Sequence, residues 1–424
     1  MKKLTITPVR KLTGKLVMPG DKSISHRAIM IGAISRGRTI AKDLLDCDDC
    51  NYTIRAFGEM GIKIKKDGAY TAIDGNGLRG LAKPEHALNV GNSGTTMRLL
   101  AGILAGQNFT SVLEGDASLS ARPMKRITEP LSMMGVGIRS KDGYPPLEVK
   151  GGNVKAVHYR MPIASAQIKS AILFAGLYAD GVTVVEETAG SRDHTERMLK
   201  YFGARIKSEG FKSSVEGGQE LEAKSVAVPG DISSASFFAA GAVLLAGSRV
   251  CIEGVCINPT RAGVLDVLTR MGARIRVVNK KDLFEPVGDI EVESGAIRGV
   301  TIEAPEIPAI IDELPVIFVL ASLASGRTVI KGAGELKVKE TDRIRSMKEN
   351  LEAMGAKISV SEGAIMIEGV NSLQGAGIKT YGDHRTCMAM AIAALGAKGQ
   401  SVIDDAGCVS KSLPGFFGML EKLK

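Results

Sequence analysis

The chain has 424 residues, a formal net charge of +9, 44% hydrophobic residues and only 4% aromatic residues. Its longest apolar runs are about eleven residues, shorter than the ~20 that cross a bilayer, and the N-terminal lysines precede no apolar signal segment. We therefore expect a cytoplasmic protein that makes no membrane contact and is long enough for two domains. Scattered basic residues and few aromatic residues disfavour nucleic acid and favour a small anionic ligand.

Six predicted helix starts follow one another at intervals of about 70 residues, and each leads from small or charged residues into an apolar run. They are placed at Lys22-Ser23, Asn92-Ser93-Gly94-Thr95, Ser165-Ala166-Gln167, Ser233-Ser234, Asp312 and His384-Arg385. Such a period indicates a duplicated supersecondary unit. We predict six repeats of helix, strand, helix, strand and strand, in which the first helix is the more apolar. The first helix at 235–245 has no polar face and should be buried all round.

Glycines are predicted to end the second, amphipathic helix of five repeats. The pairs are Met60-Gly61, Met134-Gly135, Phe202-Gly203, Met271-Gly272 and Met354-Gly355. Alternating residues follow each pair, which is typical of a helix, a glycine C-cap and then a strand. The segment 416–420 (FFGML) is interpreted as the second helix of the sixth repeat.

Two similar segments divide the six repeats into two sets of three. The segment 18–23 (MPGDKS) is similar to 228–233 (VPGDIS), and Pro-Gly pairs mark turns and crossovers. We predict one domain at 20–228 and a second, discontinuous domain at 1–19 plus 229–424. The hinges are expected near 14–20 and 228–231.

The six cysteines do not indicate a metal site or a disulfide framework. Cys47 and Cys50 have the spacing of a redox motif, but a lone pair without a second pair or a secreted context is a weak signal. We predict free, mostly buried thiols, with Cys251 and Cys256 in or beside a strand and Cys387 inside a helix.

Helix N-termini attract anions because they carry unpaired backbone N–H groups and roughly half a positive charge. If the repeats are related by rotation, several such ends face one crevice. Lys22 and Arg27 add cations at the first start. At the second, Gly94 lets an anion approach backbone N–H groups, and a structural N-cap is the alternative interpretation of the segment 92–95. Asp312 is either a helix cap or a general base.

The segment 339–343 (KETDR) is predicted to begin a helix that runs to Met354, with Lys339 and Arg343 four residues apart. A solvated helix face with intrahelical ion pairs is the alternative interpretation. Arg122 precedes a proline that can open the next helix, and Lys411 precedes the last helix.

Five motifs in chain order resemble the 5-enolpyruvylshikimate-3-phosphate (EPSP) synthase family. They are 19–27 (PGDKSISHR), 91–98 (GNSGTTMR), 120–124 (SARPM), 339–343 (KETDR) and 381–385 (YGDHR). The resemblance implies a two-domain inside-out α/β barrel with three βαβαββ repeats per domain. It implies transfer of the carboxyvinyl group of phosphoenolpyruvate to the 5-hydroxyl of shikimate 3-phosphate. No metal or organic cofactor is expected, and we expect a monomer.

The resemblance also implies the binding residues. Shikimate 3-phosphate would contact Lys22, Ser23, Arg27, Ser165, Ala166, Gln167, Arg192, Asp312 and Lys339. Phosphoenolpyruvate would contact Lys22, Gly94, Arg122, Gln167, Arg343, His384, Arg385 and Lys411.

The reaction needs one acid and one base. The resemblance assigns Asp312 to the proton of the 5-hydroxyl and Glu340 to the methylene proton of phosphoenolpyruvate, while Lys22 stabilises the departing charge. Lys22 as the acid remains the alternative.

Two other functions stay open at this point. UDP-N-acetylglucosamine enolpyruvyl transferases share the fold and the donor, but they usually carry a cysteine where this chain has Ala117, five residues before Arg122. A non-catalytic RNA-binding or anion-binding relative of RNA-terminal phosphate cyclases is the second alternative. Gly94 bears on inhibition, because naturally glyphosate-tolerant members of the EPSP synthase family often carry alanine there. The glycine therefore implies glyphosate sensitivity.

Overall fold

A computed structural model describes residues 2–424. The strands are β1 (Leu4–Ile6), β2 (Thr13–Val17), β3 (Arg36–Lys42), β4 (Lys63–Asp67), β5 (Tyr70–Asn76), β6 (Leu88–Asn89), β7 (Thr110–Glu114), β8 (Gly137–Lys141), β9 (Tyr144–Lys150), β10 (His158–Arg160), β11 (Val182–Glu186), β12 (Ile206–Glu209), β13 (Lys212–Glu216), β14 (Ser225–Ala227), β15 (Arg249–Cys256), β16 (Arg274–Asp282), β17 (Pro286–Glu293), β18 (Thr301–Ile302), β19 (Arg327–Lys331), β20 (Lys357–Ser361), β21 (Ala364–Glu368), β22 (Gly377–Ile378) and β23 (Ser401–Ile403).

The helices are α1 (Lys22–Ala33), α2 (Asp48–Glu59), α3 (Gly94–Leu104), α4 (Ala117–Ser120), α5 (Lys125–Met133), α6 (Ala166–Gly176), α7 (His194–Tyr201), α8 (Ile232–Leu244), α9 (Gly263–Arg270), α10 (Ile307–Ile310), α11 (Leu314–Ala321), α12 (Arg343–Ala353), α13 (His384–Leu395) and α14 (Phe416–Glu421). Short 3-10 helices cover Ala304–Glu306, Ala333–Val338 and Ala406–Lys411.

The chain separates into two compact parts, the continuous half (residues 20–228) and the discontinuous half (1–19 and 229–424). Both divisions fall at a Pro-Gly pair. A β-carbon on Gly20 would lie 2.1 Å from the carbonyl oxygen of Asp43, and one on Gly230 would lie 2.6 Å from the β-carbon of Met18. Glycine therefore stands at both crossings because the backbone passes too close to a neighbour for any side chain.

The continuous half contains three sheets with one topology. Their strand orders are β14-β3-β5-β4, β6-β7-β9-β8 and β10-β11-β13-β12. In each sheet the first two strands are parallel and the last three form antiparallel pairs. A helix leads into the second strand, and another helix leads into the hairpin. The predicted repeat of helix, strand, helix, strand and strand is thus confirmed three times here.

The discontinuous half repeats this topology twice, as β16-β17-β15-β2 and β18-β19-β21-β20. Its third sheet has only three strands, β1-β23-β22. The prediction of two closing strands is wrong for this sixth repeat, because within residues 2–424 no hairpin follows α14. The N-terminal strand β1 instead pairs antiparallel with β23 and takes the place of the hairpin.

In two repeats the strand that comes directly before the first helix in the chain does not join the sheet of that repeat, because β2 and β14 have exchanged places. Strand β2 comes directly before α1 in the chain, yet it pairs in parallel with β15, with Lys15 opposite Cys251. Strand β14 comes before α8, yet it pairs in parallel with β3, with Val226 opposite Ala41. In each half, one four-stranded sheet therefore takes its outer parallel strand from a segment that is distant in the chain.

The first helix of each repeat packs in the centre of its half, while the sheets keep one exposed face. In α8 every residue from Ile232 to Val243 is buried, which confirms the prediction of a helix with no polar face. In strands such as β5, buried residues alternate with half-buried or exposed ones. Helices inside and sheets outside give each half the inside-out arrangement. No helix within residues 2–424 combines the length and the apolarity needed to span a membrane.

Most predicted helix starts are confirmed by their N-cap bonds. Asp21, Ser93, Ser165, Asp231 and Asp383 each accept a backbone N–H from the first turn of α1, α3, α6, α8 and α13, respectively. Such side chains satisfy backbone donors that have no partner within the helix. The fourth start lies one residue earlier than predicted, at Ile232.

Two predicted starts are wrong. The helix predicted at Asp312 begins at Leu314, with Pro315 in its first turn, so Asp312 lies outside it. The helix predicted from Lys339 begins at Arg343, and the side chain of Asp342 accepts the N–H groups of Ile344 and Arg345. Lys339 instead follows a 3-10 helix and is not on a shared helical face with Arg343.

The glycine stops are confirmed in all five repeats where they were predicted. After α2, α5, α7, α9 and α12 the glycine adopts a left-handed φ between 81° and 103°, at Gly61, Gly135, Gly203, Gly272 and Gly355. Such φ angles cost little conformational free energy only for glycine, so the position of the glycine decides where each helix ends.

The cysteine predictions are confirmed as well. All six cysteines are free, five of them buried and Cys251 half-buried. Cys251 and Cys256 lie in β15, and Cys387 lies inside α13.

Candidate active site

Helices α3 and α6 of the continuous half are joined at their N-terminal ends. Gln167, the second residue of α6, accepts a hydrogen bond from Arg98 Nη1 at 2.8 Å and donates one to Thr95 Oγ1 at 3.0 Å. The structure therefore places two predicted helix starts side by side. Arg98 carried no role in the sequence analysis, although it lies four residues after Gly94 and so on the same helical face.

Arg27 joins α1 to α6 and α7. Its guanidinium donates to the Ser23 carbonyl at 2.9 Å, to Thr195 Oγ1 at 2.7 Å and to Ser170 Oγ at 2.8 Å. Arg192 Nη1 lies 3.4 Å from Ser23 Oγ at the same helix start. These contacts orient two guanidinium groups beside the first residues of α1.

A chain of buried hydroxyl groups joins α1 to α3 through α2. His26 Nδ1 lies 2.7 Å from Thr53 Oγ1, which lies 2.7 Å from Thr96 Oγ1. Burial, reinforced by the charges of Lys22 and Arg27, lowers the pKa of His26 well below its ordinary value. His26 is therefore a neutral link that fixes the helix starts, not a cation of the site.

Gly94 is crowded by two guanidinium groups. A β-carbon at this residue would lie 2.7 Å from Arg98 Nη1 and 3.3 Å from Arg122 Nη1. Arg122 is oriented by bonds to Asn92 Oδ1 at 2.7 Å and to Ser118 Oγ at 3.3 Å. The N-terminus of α3 thus has two cations beside it, which suits a phosphate or carboxylate.

Lys22, the first residue of α1, forms an ion pair with Asp49. Its Nζ lies 3.0 Å from the carboxylate, and the two side chains are only 16% and 12% exposed. Asp49 belongs to the segment between Cys47 and Cys50. The function of this acidic motif in the structure is therefore to hold the lysine in place, which the Cys spacing did not indicate.

Arg343 is the most buried cation of the discontinuous half, with its side chain 1% exposed. Its Nε lies 2.8 Å from Asp383 Oδ2, its Nη1 lies 3.4 Å from Asp312 Oδ1, and it also pairs with Glu340. Burial alone would lower the pKa of this guanidinium, but the three carboxylates outweigh burial and raise that pKa above its ordinary value. The group is a fixed positive charge at any working pH.

Arg385 follows His384 in the first turn of α13. It donates from Nη1 to the Asp312 carbonyl at 2.9 Å and to Ser233 Oγ, and its Nε lies 3.8 Å from Asp312 Oδ1. His384 itself is buried at the first position of the helix. The predicted starts at Ser233 and His384 are therefore brought together with Asp312.

Asp312 faces cations and does not cap a helix. Besides Arg343 and Arg385, its carboxylate lies 3.8 Å from Arg261 Nη2. The adjacent Glu313 is fully buried and pairs with Arg261 Nη1 at 2.9 Å. Arg261 belongs to no motif, and only the fold reveals it. A carboxylate held this way is oriented well for proton transfer.

Lys411 and Lys339 lie at the C-terminal ends of short 3-10 helices in the discontinuous half. Lys411 ends one of them and donates from Nζ to the carbonyl of Gly382 at 2.8 Å, close to the start of α13. Lys339 is half-buried and directly follows the 3-10 helix Ala333–Val338. Among residues 2–424 no group of three or more His, Cys, Asp or Glu residues could hold a metal ion.

Replacing Arg343 with methionine should destabilise the protein strongly. Three carboxylates would lose a buried counter-charge, at a cost of about 3–5 kcal/mol, or roughly 10 °C in the melting temperature of a domain of this size. Calorimetry measures the shift. The matched control is Arg345→Met, because Arg345 lies two residues later and pairs with Glu349 on the exposed face. Equal shifts for the two variants would contradict the structural role of Arg343.

The repeats define a two-domain α/β protein built from six related units, and within residues 2–424 five of these units have a closing hairpin while the sixth has none. A family model described as EPSP synthase (3-phosphoshikimate 1-carboxyvinyltransferase) matches residues 6–420. The chain belongs to the EPSP synthase family.

Individual relatives agree over the full length. The 3-phosphoshikimate 1-carboxyvinyltransferase of Geobacter metallireducens is 47% identical, with 100% of this chain and 99% of the relative covered. That of Bacillus thuringiensis subsp. konkukian is 48% identical, with 100% of both covered. The structure of EPSP synthase from Acinetobacter baumannii is similar with a TM-score of 0.88 at 43% identity, covering 100% of this chain and 98% of that chain. The fold class implied by the motifs is confirmed.

Proposed function

We propose that this enzyme transfers the carboxyvinyl group of phosphoenolpyruvate to the 5-hydroxyl of shikimate 3-phosphate and releases phosphate. The reaction belongs to the biosynthesis of chorismate and the aromatic amino acids. The observation that carries the proposal is the match to this family over residues 6–420. The cation-rich helix starts of both halves agree with it, because both substrates are phosphorylated acids.

Shikimate 3-phosphate is assigned to the starts of α1 and α6, two helices that Arg27 connects through Ser170. Ser23 and Arg27 would contact its carboxylate, because the guanidinium is already oriented beside that helix start. The remaining contacts are assigned to Lys22, Ser165, the Ala166 N–H, Gln167 and Arg192, with Asp312 and Lys339 contributed by the discontinuous half.

Phosphoenolpyruvate is assigned mainly to cations, and it shares Lys22 and Gln167 with shikimate 3-phosphate. In the continuous half the start of α3 supports this assignment, since two guanidinium groups crowd its first glycine. Arginine suits bidentate contacts to carboxylate and phosphate. The assigned residues are Lys22, Gly94, Arg122 and Gln167 in the continuous half and Arg343, His384, Arg385 and Lys411 in the discontinuous half.

The chemistry requires two proton transfers before phosphate can leave. Protonation of the methylene carbon makes C2 electrophilic, and the 5-hydroxyl oxygen attacks C2 as it loses its proton. The phosphate-bearing tetrahedral adduct then loses a methyl proton and expels phosphate, which restores the double bond. We assign Asp312 to the hydroxyl proton and Glu340 to the methylene proton.

Lys22 stabilises the negative charge of the departing phosphate. Its ammonium is held by Asp49 at the start of α1. Lys22 as the donor of the methylene proton is the second candidate, because a positioned ammonium can also act as an acid. No metal or organic cofactor enters the proposed reaction.

The protein is proposed to act as a cytoplasmic monomer with small molecules as its only partners. The halves defined by residues 20–228 and by 1–19 with 229–424 would act as two domains that close on the substrates. The crossings near 14–20 and 228–231 would serve as hinges. Nucleic acid and membranes have no part in this proposal.

A phosphate-release assay tests the function. Phosphoenolpyruvate with shikimate 3-phosphate should release phosphate, whereas phosphoenolpyruvate with UDP-N-acetylglucosamine should not. The reverse preference would identify the rival transferase. Salt-sensitive RNA binding without phosphate release from either pair would instead support a relative of RNA-terminal phosphate cyclases.

Micromolar glyphosate is expected to inhibit turnover when phosphoenolpyruvate is near its KM. The Gly94→Ala variant should raise the inhibition constant by about tenfold or more, because the added methyl group meets the two guanidinium groups beside Gly94. Steady-state inhibition measures both values. Gly58→Ala is the matched control, since a β-carbon at Gly58 meets no atom within 4 Å. Unchanged wild-type turnover in glyphosate would contradict the prediction.

A further inference from the structure

A buried ion cluster in the continuous half has no role in the chemistry above. Lys169 Nζ lies 2.6 Å from Glu187 Oε2 and 2.7 Å from Glu196 Oε1. The three side chains are 2%, 4% and 6% exposed, respectively. Together, these three residues are called the Lys169 cluster.

The Lys169 cluster connects the elements that carry the proposed contacts to shikimate 3-phosphate. Lys169 lies in the first turn of α6, three residues after Ala166. Glu187 directly follows β11, and Glu196 lies in the first turn of α7. The neighbour of Glu196 is Thr195, whose hydroxyl accepts a hydrogen bond from Arg27.

The cluster also fixes the residue that precedes Arg192. Ser191 donates from its hydroxyl to the carboxylate of Glu187, and its carbonyl accepts a bond from Lys169 Nζ at 3.4 Å. Ser191 is thus held by its side chain and by its backbone. Arg192 directly follows Ser191 in the chain, and its Nη1 lies 3.4 Å from Ser23 Oγ. The placement of the Arg192 guanidinium therefore depends on the cluster.

The charges of the cluster are unbalanced. One ammonium faces two carboxylates, and Glu196 Oε2 is buried without a hydrogen-bond partner among the described residues. Burial lowers the pKa of Lys169, but the charges of Glu196 and Glu187 outweigh burial and raise that pKa, so the lysine stays charged. Well-packed apolar residues often stabilise a protein as well as a buried ion pair does. Stability alone therefore explains this cluster poorly, whereas its bonds to the Ser191 segment give it a specific role.

We propose that Lys169, Glu187 and Glu196 are positioning residues that hold Arg192 and the start of α6 for the phosphate group of the acceptor. The inference rests on the proposed function, which supplies shikimate 3-phosphate as that acceptor. A guanidinium contributes most to anion binding when it is oriented before the ligand arrives, because less conformational entropy is then lost on binding.

A double-mutant cycle between Glu187 and Arg192 tests the proposal. Glu187→Gln keeps the size and an acceptor for Ser191 but removes a charge, and Lys169 retains Glu196. Calorimetric titration should show about tenfold weaker binding of shikimate 3-phosphate for Glu187→Gln. In the Arg192→Ala background, the same substitution should cause a much smaller loss of affinity, because only the effect through the start of α6 remains. The matched control is Glu186→Gln, because Glu186 is half-exposed and pairs with His158 and Lys212.

A second pair of variants separates positioning from folding. Lys169→Arg keeps the charge and should retain the affinity for shikimate 3-phosphate within about threefold, whereas Lys169→Met should lose about tenfold or more. The KM for phosphoenolpyruvate at saturating acceptor should change little in either variant. Shikimate, which lacks the phosphate, should be used equally well by wild type and Glu187→Gln.

Three results would overturn the inference. The first is that Glu187→Gln binds shikimate 3-phosphate as tightly as wild type does. The second is that Glu187→Gln weakens binding equally in the wild-type and Arg192→Ala backgrounds, and the third is that it impairs the use of shikimate as much as that of shikimate 3-phosphate. Wild type is titrated first. If it fails to bind shikimate 3-phosphate, the proposed function is wrong and the inference falls with it, whereas normal wild-type binding with any of the three results rejects the inference alone.

Discussion

Replacing Asp312 with alanine is expected to lower kcat by about two to four orders of magnitude, the range that a positioned acid or base contributes. The carboxylate is held among the guanidinium groups of Arg343, Arg385 and Arg261, at 3.4 to 3.8 Å. None of these cations can accept the proton of the 5-hydroxyl. Binding of shikimate 3-phosphate should change little, so the loss should appear in turnover. Phosphate release gives kcat, and calorimetric titration gives the affinity.

Asp289→Ala is the matched control for Asp312→Ala. Asp289 lies on β17 of the same half, where its carboxylate accepts bonds from the Gly254 N–H and from Asn279. Its loss should lower the melting temperature slightly and leave kcat unchanged. Near-normal turnover of Asp312→Ala would show that Asp312 only organises the surrounding arginines.

Replacing Glu340 with glutamine should also lower kcat by about two to four orders of magnitude, because an amide cannot exchange the methylene proton. The reaction in D2O measures this step directly. Protonation at the methylene carbon makes a methyl group, and later loss of a proton leaves deuterium in the product. In Glu340→Gln, product formation and deuterium incorporation should fall together.

Lys22→Met distinguishes the two candidate acids. If Glu340 delivers the proton, Lys22→Met should mainly weaken phosphoenolpyruvate binding and phosphate departure. Normal deuterium incorporation in Glu340→Gln, with none in Lys22→Met, would make Lys22 the acid. Glu352→Gln is the control, because Glu352 forms an intrahelical pair with Lys348 on the outer face of α12.

The repeat architecture could be predicted from the sequence because its signals are local. A left-handed glycine ends each of five helices, and an Asp or Ser caps five of the six first helices. Both signals depend on only a few neighbouring residues, so they can be recognised in the sequence without knowledge of the rest of the fold. The motifs added the family, which no periodicity could have supplied.

The errors arose where local signals compete or partners are distant. Pro315 favours the first turn of a helix and moves the start past Asp312, while a 3-10 helix ends just before Lys339. The exchange of β2 and β14 depends on strand pairing over about half of the chain, which adjacent residues do not encode.

Three charged residues near the predicted site were not recognised from the sequence, also because their partners are distant in the chain. Asp49, Arg98 and Arg261 act through partners from other elements, at 27, 69 and 52 positions along the chain, respectively. Only Arg98 had a usable signal, the helical spacing from Gly94. The others become recognisable once packing has brought the charges together, because an isolated charge on a helix or loop is ordinarily a solvated one.

Proton NMR of a mixture of the chain, phosphoenolpyruvate and shikimate 3-phosphate shows directly whether the carboxyvinyl group is transferred. We expect two new vinyl proton signals on an enol ether that retains the ring and its phosphate, formed in equal amount with inorganic phosphate. Release of phosphate with pyruvate and unchanged shikimate 3-phosphate, or no reaction at all, would contradict this expectation.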